Sequence, residues 1–236
     1  MAVHMMRETE KLKKMVLSLA ALVEENVRNA VRSVADRNQA LAYKTIEADH
    51  VIDVAEVDVE EECLKILALH QPVAYDLRYI VAILKINRDL DRIGDLAVSI
   101  AERAIQMIAK PRPTSTFDLN LMADKCQVMV AHSLDAMINR DADLARSIWL
   151  SEDDSIDQMT AQAFEVFEKE IREKPENCSS LMNMLSVARS LERIADHATN
   201  IAKDTIYMVE GEIVRHRRRK VLEQLAAAGK TISPPA

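Results

Sequence analysis

Glycine is nearly missing from this chain of 236 residues, occurring only as Gly94, Gly211 and Gly229. Aromatic residues make up 3% of it. Tight hairpins and α/β loops depend on glycine to reach positive φ, so a sheet-based fold is disfavoured. The residues in surplus, led by Leu, Ala, Met, Glu and Arg, are mostly strong helix formers, and an all-α protein is expected. Three cysteines, Cys63, Cys126 and Cys178, are odd in number and far apart. They suggest neither a disulfide framework nor a thiolate zinc site. No apolar run approaches the roughly 20 residues that span a bilayer. The N-terminal MAVHMMRETEKLKK has no apolar core of a secretory signal, and a cytoplasmic location is expected. There is no Gly-rich phosphate loop, no G-x-S-x-G and no H-E-x-x-H, so no catalytic residue is nominated.

The formal charge is −7, but the five Lys/Arg of RHRRRK, residues 215–220, leave −12 on the rest. An acidic body repels nucleic acid, and no direct nucleic-acid binding is expected of the fold. The basic run could touch anionic lipid, at most as a peripheral association, or nucleic acid, or be a solvated disordered tail over 215–236.

Proline marks the boundaries, because it starts helices well and breaks their interiors. Pro72, Pro111, Pro113 and Pro175 divide the chain into helices expected at about 8–37, 39–69, 72–109, 117–139, 142–173 and 176–209. In the third, Ile83, Ile86, Leu90, Ile93, Ala97, Ile100, Ala104 and Met107 alternate by three and four, the seam of a bundled helix. In the sixth, Leu191, Ile194, Ala198, Ile201, Thr205 and Met208 keep a matching seam. DHVID (49–53) parallels DDSID (153–157), and RDLDRIGD (88–95) parallels RSLERIAD (189–196), at nearly equal offsets. Two tandem three-helix bundles, six long antiparallel helices in all, are expected, with repeats over 1–110 and 117–214.

The repeated words carry carboxylates at helical spacing. LDRIGDLAVSIAE puts Asp91, Asp95 and Ser99 on one stripe; LERIADHATNIAK does the same with Glu192, Asp196 and Asn200. Taking Leu90 as zero and about 100° per residue, the seam centres near −20° and the stripe lies between roughly 100° and 180°. Each ladder therefore faces largely away from its own seam. Carboxylates one turn apart repel, which costs a few tenths of a kcal/mol in an isolated helix. Two explanations stay open: a solvated polar face, or a site for a hard cation held by oxygen alone. Asp49 and Asp53, with their counterparts Asp153 and Asp157, could complete such a site. Salt bridges from this pair to Arg88 or Arg92 are the favoured expectation. EADH (47–50) has the E-x-x-H spacing of di-iron bundles, but its counterpart SEDD (151–154) lacks the histidine, which argues against a ferritin-like oxidase. His197 points about 100° from Asp196 and is expected at a surface or interface.

With these residues in place, LALHQPVAYDLRYIVAILKINRDLDRIGDLAVSIAER (67–103) closely resembles the signature of the PhoU family of bacterial phosphate-signalling regulators. NMLSVARSLERIADHATNIAKDTIYMVEGE (183–212) is similar to that family's second-repeat signature. The resemblance covers the chain to about residue 214. It implies two three-helix bundles carrying surface metal (iron, manganese or magnesium) on (E/D)-x-x-x-D motifs. Those motifs fall on Asp91 and Asp95, and on Glu192 and Asp196, with Asn200 as an extension. Ser99 departs from the usual Asn or Asp, so the first site would hold its metal less tightly or lean more on water. The resemblance further implies a non-enzymatic cytoplasmic adaptor, often a homodimer. It would link the nucleotide-binding subunit of the phosphate ABC transporter to a sensor histidine kinase and keep the phosphate regulon repressed. A metal-dependent phosphoesterase using the clustered carboxylates is the alternative.

Overall fold

Polar side chains cap helix starts and left-handed residues end several helices. The computed structural model describes residues 2–215 together with 217, 218, 221 and 223, with side chains for all of these except 2, 3 and 151–154. Asp153 therefore has no described side chain. His216, Arg219 and Lys220 of the basic run, and most of the chain beyond, lie outside the described residues.

Helices α1 (Ala2–Ala35), α2 (Gln39–His70) and α3 (Ala74–Ile108) form the first bundle. Helices α4 (Leu119–Asn139), α5 (Ala142–Ser147), α6 (Asp153–Glu173) and α7 (Cys178–Glu210) form the second. No strand occurs among the described residues. The side chain of Asn38 accepts from the Leu41 amide at 3.0 Å, and that of Asp118 from the Leu121 amide at 3.0 Å. Each satisfies an amide that a helix start leaves without a partner. At the C-terminal ends, Gln71 and Gly211 take left-handed conformations, with φ of 47° and 76°. Arg37 is also left-handed, with φ 53°. Its guanidinium donates to the carbonyls of Met107, Ile108 and Lys110 at 2.9, 3.0 and 2.5 Å, capping the far end of α3.

One expected helix is interrupted. Over 142–173, α5 and α6 are joined by a π-helical turn at Ile148–Glu152. Ile148, Trp149 and Leu150 are consecutive and all buried. In a regular helix three neighbours spread over about 200°, too wide for one packed face, and the wider turn relaxes that limit. The carbonyl of Leu150 accepts from the Arg218 guanidinium at 3.1 Å.

The periodic seams are the core. Ile83, Ile86, Leu90, Ile93, Ala97 and Ile100 are almost solvent-free on α3, as are Leu191, Ile194, Ala198 and Ile201 on α7. Each fully buried Leu or Ile contributes about 2 kcal/mol of transfer free energy. Helix α3 packs on α1 and α2, but its most extensive contact is with α7. A single hydrophobic cluster therefore runs through both bundles. Lys85 meets Asp204 and Asp89 meets His197, so α3 and α7 run antiparallel.

Candidate functional site

The ladder on α3 lies along the flank where α2 passes. Asp91 is half-buried and Asp95 exposed. Between them Gly94 lets the helices approach: a Cβ there would sit 3.3 Å from Ile52 Cγ2 and 3.5 Å from Asp49 Oδ1. A missing side chain on α3 is thus what brings the Asp49 carboxylate against the ladder.

The carboxylates feel one another. Asp49 is pushed up from 3.8 to about 6, first by partial burial and then by the charges of Asp53, Asp95 and Asp91. Burial also raises Asp91, with Asp95 and Asp53 adding to the rise and Arg92 opposing it. Glu56, one turn further along α2, is raised by burial and by Asp91. Like charges brought out of water disfavour the ionised form, and here two helices contribute to the same cluster.

The salt bridges expected from Asp49 and Asp53 to Arg88 or Arg92 are not formed. Arg92 pairs with Asp95 on its own helix, at 2.7 Å and three residues away. Arg88 lines a groove on the α7 side of α3. The reason is partly angular: positions 88 and 92 lie about 40° and 80° from the centre of the 91–95 stripe, on the side of the α7 groove that both line.

The second repeat rebuilds the arrangement. Glu192 is half-buried and raised by burial, then by Asp157 and Asp196, with the Thr160 hydroxyl working the other way. Asp196, open to solvent on one side, is raised by partial burial and then by Asp157, with His197, Lys203 and Arg193 opposing. Asp157 on α6 thus stands to Glu192 as Asp53 stands to Asp91. Asn200 turns elsewhere: its amide donates to Asp89 at 3.4 Å and its oxygen accepts from Lys203 at 3.4 Å. Ser99 is half-buried. Glu47 and His50 of the E-x-x-H are both exposed on α2.

Among the described residues, no three His, Cys, Asp or Glu side chains are arranged to hold a metal ion as they stand. The donor set nevertheless fits a hard cation. It is all oxygen, it comes from two facing helices, and its raised proton affinities mark negative charge that the Arg92 contact with Asp95 only partly offsets. Water or a partner would complete the shell.

Sequence reasoning missed the groove between α3 and α7. It encloses about 790 Å³ and is lined by Lys85, Arg88, Asp89, Arg92, Arg193, His197, Asn200, Lys203, Asp204 and Arg215. Buried Asp204 anchors one end, taking Lys85 at 3.1 Å and Arg215 at 3.6 Å. Burial raises the Asp204 carboxyl, and the Lys85 contact opposes that rise. His197 Nδ1 lies 2.7 Å from Asp89 Oδ1, so this histidine is an interhelical residue. The signal was present as polar positions at helical spacing, 85, 88, 89 and 92 on one helix and 193, 197, 200 and 204 on the other. Only the antiparallel contact of α3 with α7 joins the two sets.

Comparison with known proteins agrees with the duplicated architecture. The family model described as the PhoU domain matches twice, over residues 16–104 and 119–205. The phosphate-specific transport system accessory protein PhoU homolog of Pseudomonas aeruginosa is 39% identical over 89% of this chain and 86% of its own length. Its namesake from Aquifex aeolicus is 39% identical over 91% of this chain and 96% of its own. The crystal structure of PhoU from Pseudomonas aeruginosa superposes with a TM-score of 0.84 at 38% identity, covering 87% of this chain and 99% of that one. The phosphate transport system regulatory protein PhoU from Streptococcus pneumoniae gives a TM-score of 0.79 at 28% identity, covering 89% and 99%. With two matched domains and full-length relatives of the same fold, the chain belongs to the PhoU family.

Proposed function

We propose that this protein is an accessory regulator of phosphate transport that acts by contact and not by catalysis. The observation that carries this reading is kinship along nearly the whole chain with proteins named phosphate-specific transport accessory proteins. On this reading the protein works in the cytoplasm. It docks on the nucleotide-binding subunit of the phosphate ABC transporter and on a sensor histidine kinase. Its occupancy by the transporter reports phosphate supply, and starvation genes stay off while phosphate is plentiful. Among the described residues no helix is long and apolar enough to cross a membrane. Helix α2 offers a docking face: Val51, Val54, Val57 and Leu64 are each at least half exposed. A second copy of the chain, forming a homodimer, is one candidate occupant.

Asp91 and Asp95 with Asp49 and Asp53, and Glu192 and Asp196 with Asp157, are the residues that would hold iron, manganese or magnesium. The ion would supply positive charge that offsets the repulsion between α2 and α3, and between α6 and α7. The chain's own carboxylates orient those helix faces for docking. A metal-dependent phosphoesterase has less support, because the lining of the neighbouring groove contains none of the ladder carboxylates.

Deleting the gene is expected to derepress phosphate-starvation genes in phosphate-rich medium, and transporter and kinase components are expected to co-purify with the protein. Unchanged expression would sink the regulatory reading. Elemental analysis of the purified protein beside an Asp91→Ala/Asp95→Ala/Glu192→Ala/Asp196→Ala variant tests the stripes separately. Equal metal content in the two would remove metal from the account.

A further inference from the structure

The groove between α3 and α7 is basic in an acidic protein. Six of its lining residues are Lys or Arg, against Asp89 and Asp204, in a chain whose formal charge is −7. These charges are not all spent on one another. Lys85 and Arg215 share Asp204, and Arg92 is held by Asp95. Arg88 and Arg193 form no ion pair within 4 Å among the described residues, and both are exposed at the groove. Each is instead beside a carboxylate stripe, Arg88 near Asp91 and Arg193 near Asp196. Concave basic surfaces concentrate anions, and guanidinium forks match the paired oxygens of phosphate.

The repeat explains the shape. Arg92 and Arg193 occupy equivalent positions in RDLDR and RSLER, and antiparallel packing brings both to one groove. The cations then extend in one direction, toward Lys85 on α3 and Lys203 on α7. That places them in a row about 10–15 Å long, at 1.5 Å per helical residue. Such a row is longer than a single tetrahedral oxyanion can span. Tyr207 stands outside the lining, its ring covered by the Lys85 ammonium at 4.6 Å, and the lining holds no Phe, Tyr or Trp, its one ring being His197, tied through Nδ1 to Asp89.

We infer that this groove binds a linear run of phosphate groups, and that a lining of cations without Phe, Tyr or Trp favours an inorganic oligophosphate over a nucleotide. Arg88, Arg92 and Arg193 would grip the phosphoryl oxygens, and Lys203 would extend the row. Asp89 and Asp204 act in the other direction. Asp89 is engaged by His197, and Asp204 by Lys85 and Arg215, which leaves Arg88 and Arg193 clear of both carboxylates. This groove adjoins the metal stripes, with Arg92 held by Asp95, but the binding proposed for it needs no metal.

The test is titration calorimetry on chelator-treated full-length protein at near-physiological salt, with inorganic triphosphate, orthophosphate, sulfate and ATP as probes. Chelation removes any bridge through a bound cation, so failure here is distinguishable from failure of the metal stripes. Triphosphate is expected to bind at least about tenfold more tightly than orthophosphate or sulfate. Arg88→Gln/Arg193→Gln is expected to weaken triphosphate binding by roughly 30-fold or more, since each position removes a charge-assisted contact. Both residues are exposed, so an unchanged thermal melt is expected to show that the variant folds. Equal affinity for orthophosphate and triphosphate, or undiminished binding by the variant, overturns the proposal. ATP binding more tightly than triphosphate overturns the inorganic assignment.

Discussion

Asp49→Asn is expected to stabilise this protein near neutral pH and leave it unchanged in acid. The Asp49 carboxyl sits against α3, where partial burial and the charges of Asp53, Asp95 and Asp91 raise it from 3.8 to about 6. The folded protein therefore holds this proton more tightly than the unfolded chain does. Below about pH 4 the group is neutral in both states and costs nothing. Between about pH 4 and 6 the unfolded chain ionises this group while the folded state still resists, so stability is lost over that range and levels off above it. At about 1.4 kcal/mol per pH unit the ceiling on that loss is about 3 kcal/mol. Solvent reaches part of the side chain and screens the repulsion, so about 1 kcal/mol is the realistic expectation. For a chain of this length that corresponds to a rise of about 2–4 °C in Tm. Urea denaturation of chelator-treated wild type and variant, at intervals from pH 4 to 8, measures it. The difference should be near zero at pH 4, grow between about 4 and 6, and stay level above 7. A difference independent of pH, or a variant less stable than wild type at pH 7.5, would refute convergence of the α2 and α3 carboxylates.

Two other substitutions probe the frame that holds the cluster. Gly94→Val places methyl groups against Ile52 and Asp49, where even a Cβ comes within 3.3 Å, and should cost about 1–3 kcal/mol in urea denaturation. Gly94→Ala should fall within about 1 kcal/mol of wild type, since the gain in helix propensity offsets the tight Ile52 contact; a Val variant as stable as wild type would remove Gly94 as the reason for the close approach. Arg37→Ala takes away the guanidinium that serves three carbonyls at the end of α3 and should cost about 1–3 kcal/mol. Faster hydrogen exchange confined to the last turn of α3 would accompany it, and unchanged exchange there would dismiss the cap.

The lesson for reading such chains lies in which contacts are local. Periodicity within one segment is enough to identify Leu90, Ile93, Ala97 and Ile100 as core and Asp91–Asp95 as a stripe, because about 100° per residue is a property of the helix alone. Caps such as Asn38 and stops such as Pro72 act within a few residues and are equally legible. The π turn was not, although its cause, three consecutive large apolar residues at 148–150, stands in the sequence. Burying all three is demanded by what packs around that turn, not by the turn itself.

By itself, then, the sequence determined an all-α chain, its duplication, and two carboxylate stripes at matching positions. Tertiary structure alone decided what those stripes face. Helical spacing turns Arg92 off the stripe, where it pairs with Asp95 of its own helix, but only the packing of α2 leaves Asp49 among carboxylates. That outcome depends on how closely α2 can pass Gly94, a distance between residues over 40 positions apart. The basic groove depends likewise on the antiparallel register of α3 and α7, which brings Lys85 to Asp204 across 119 positions. Helical periodicity fixes angles about one axis; only the packing of the shared core fixes how two axes meet.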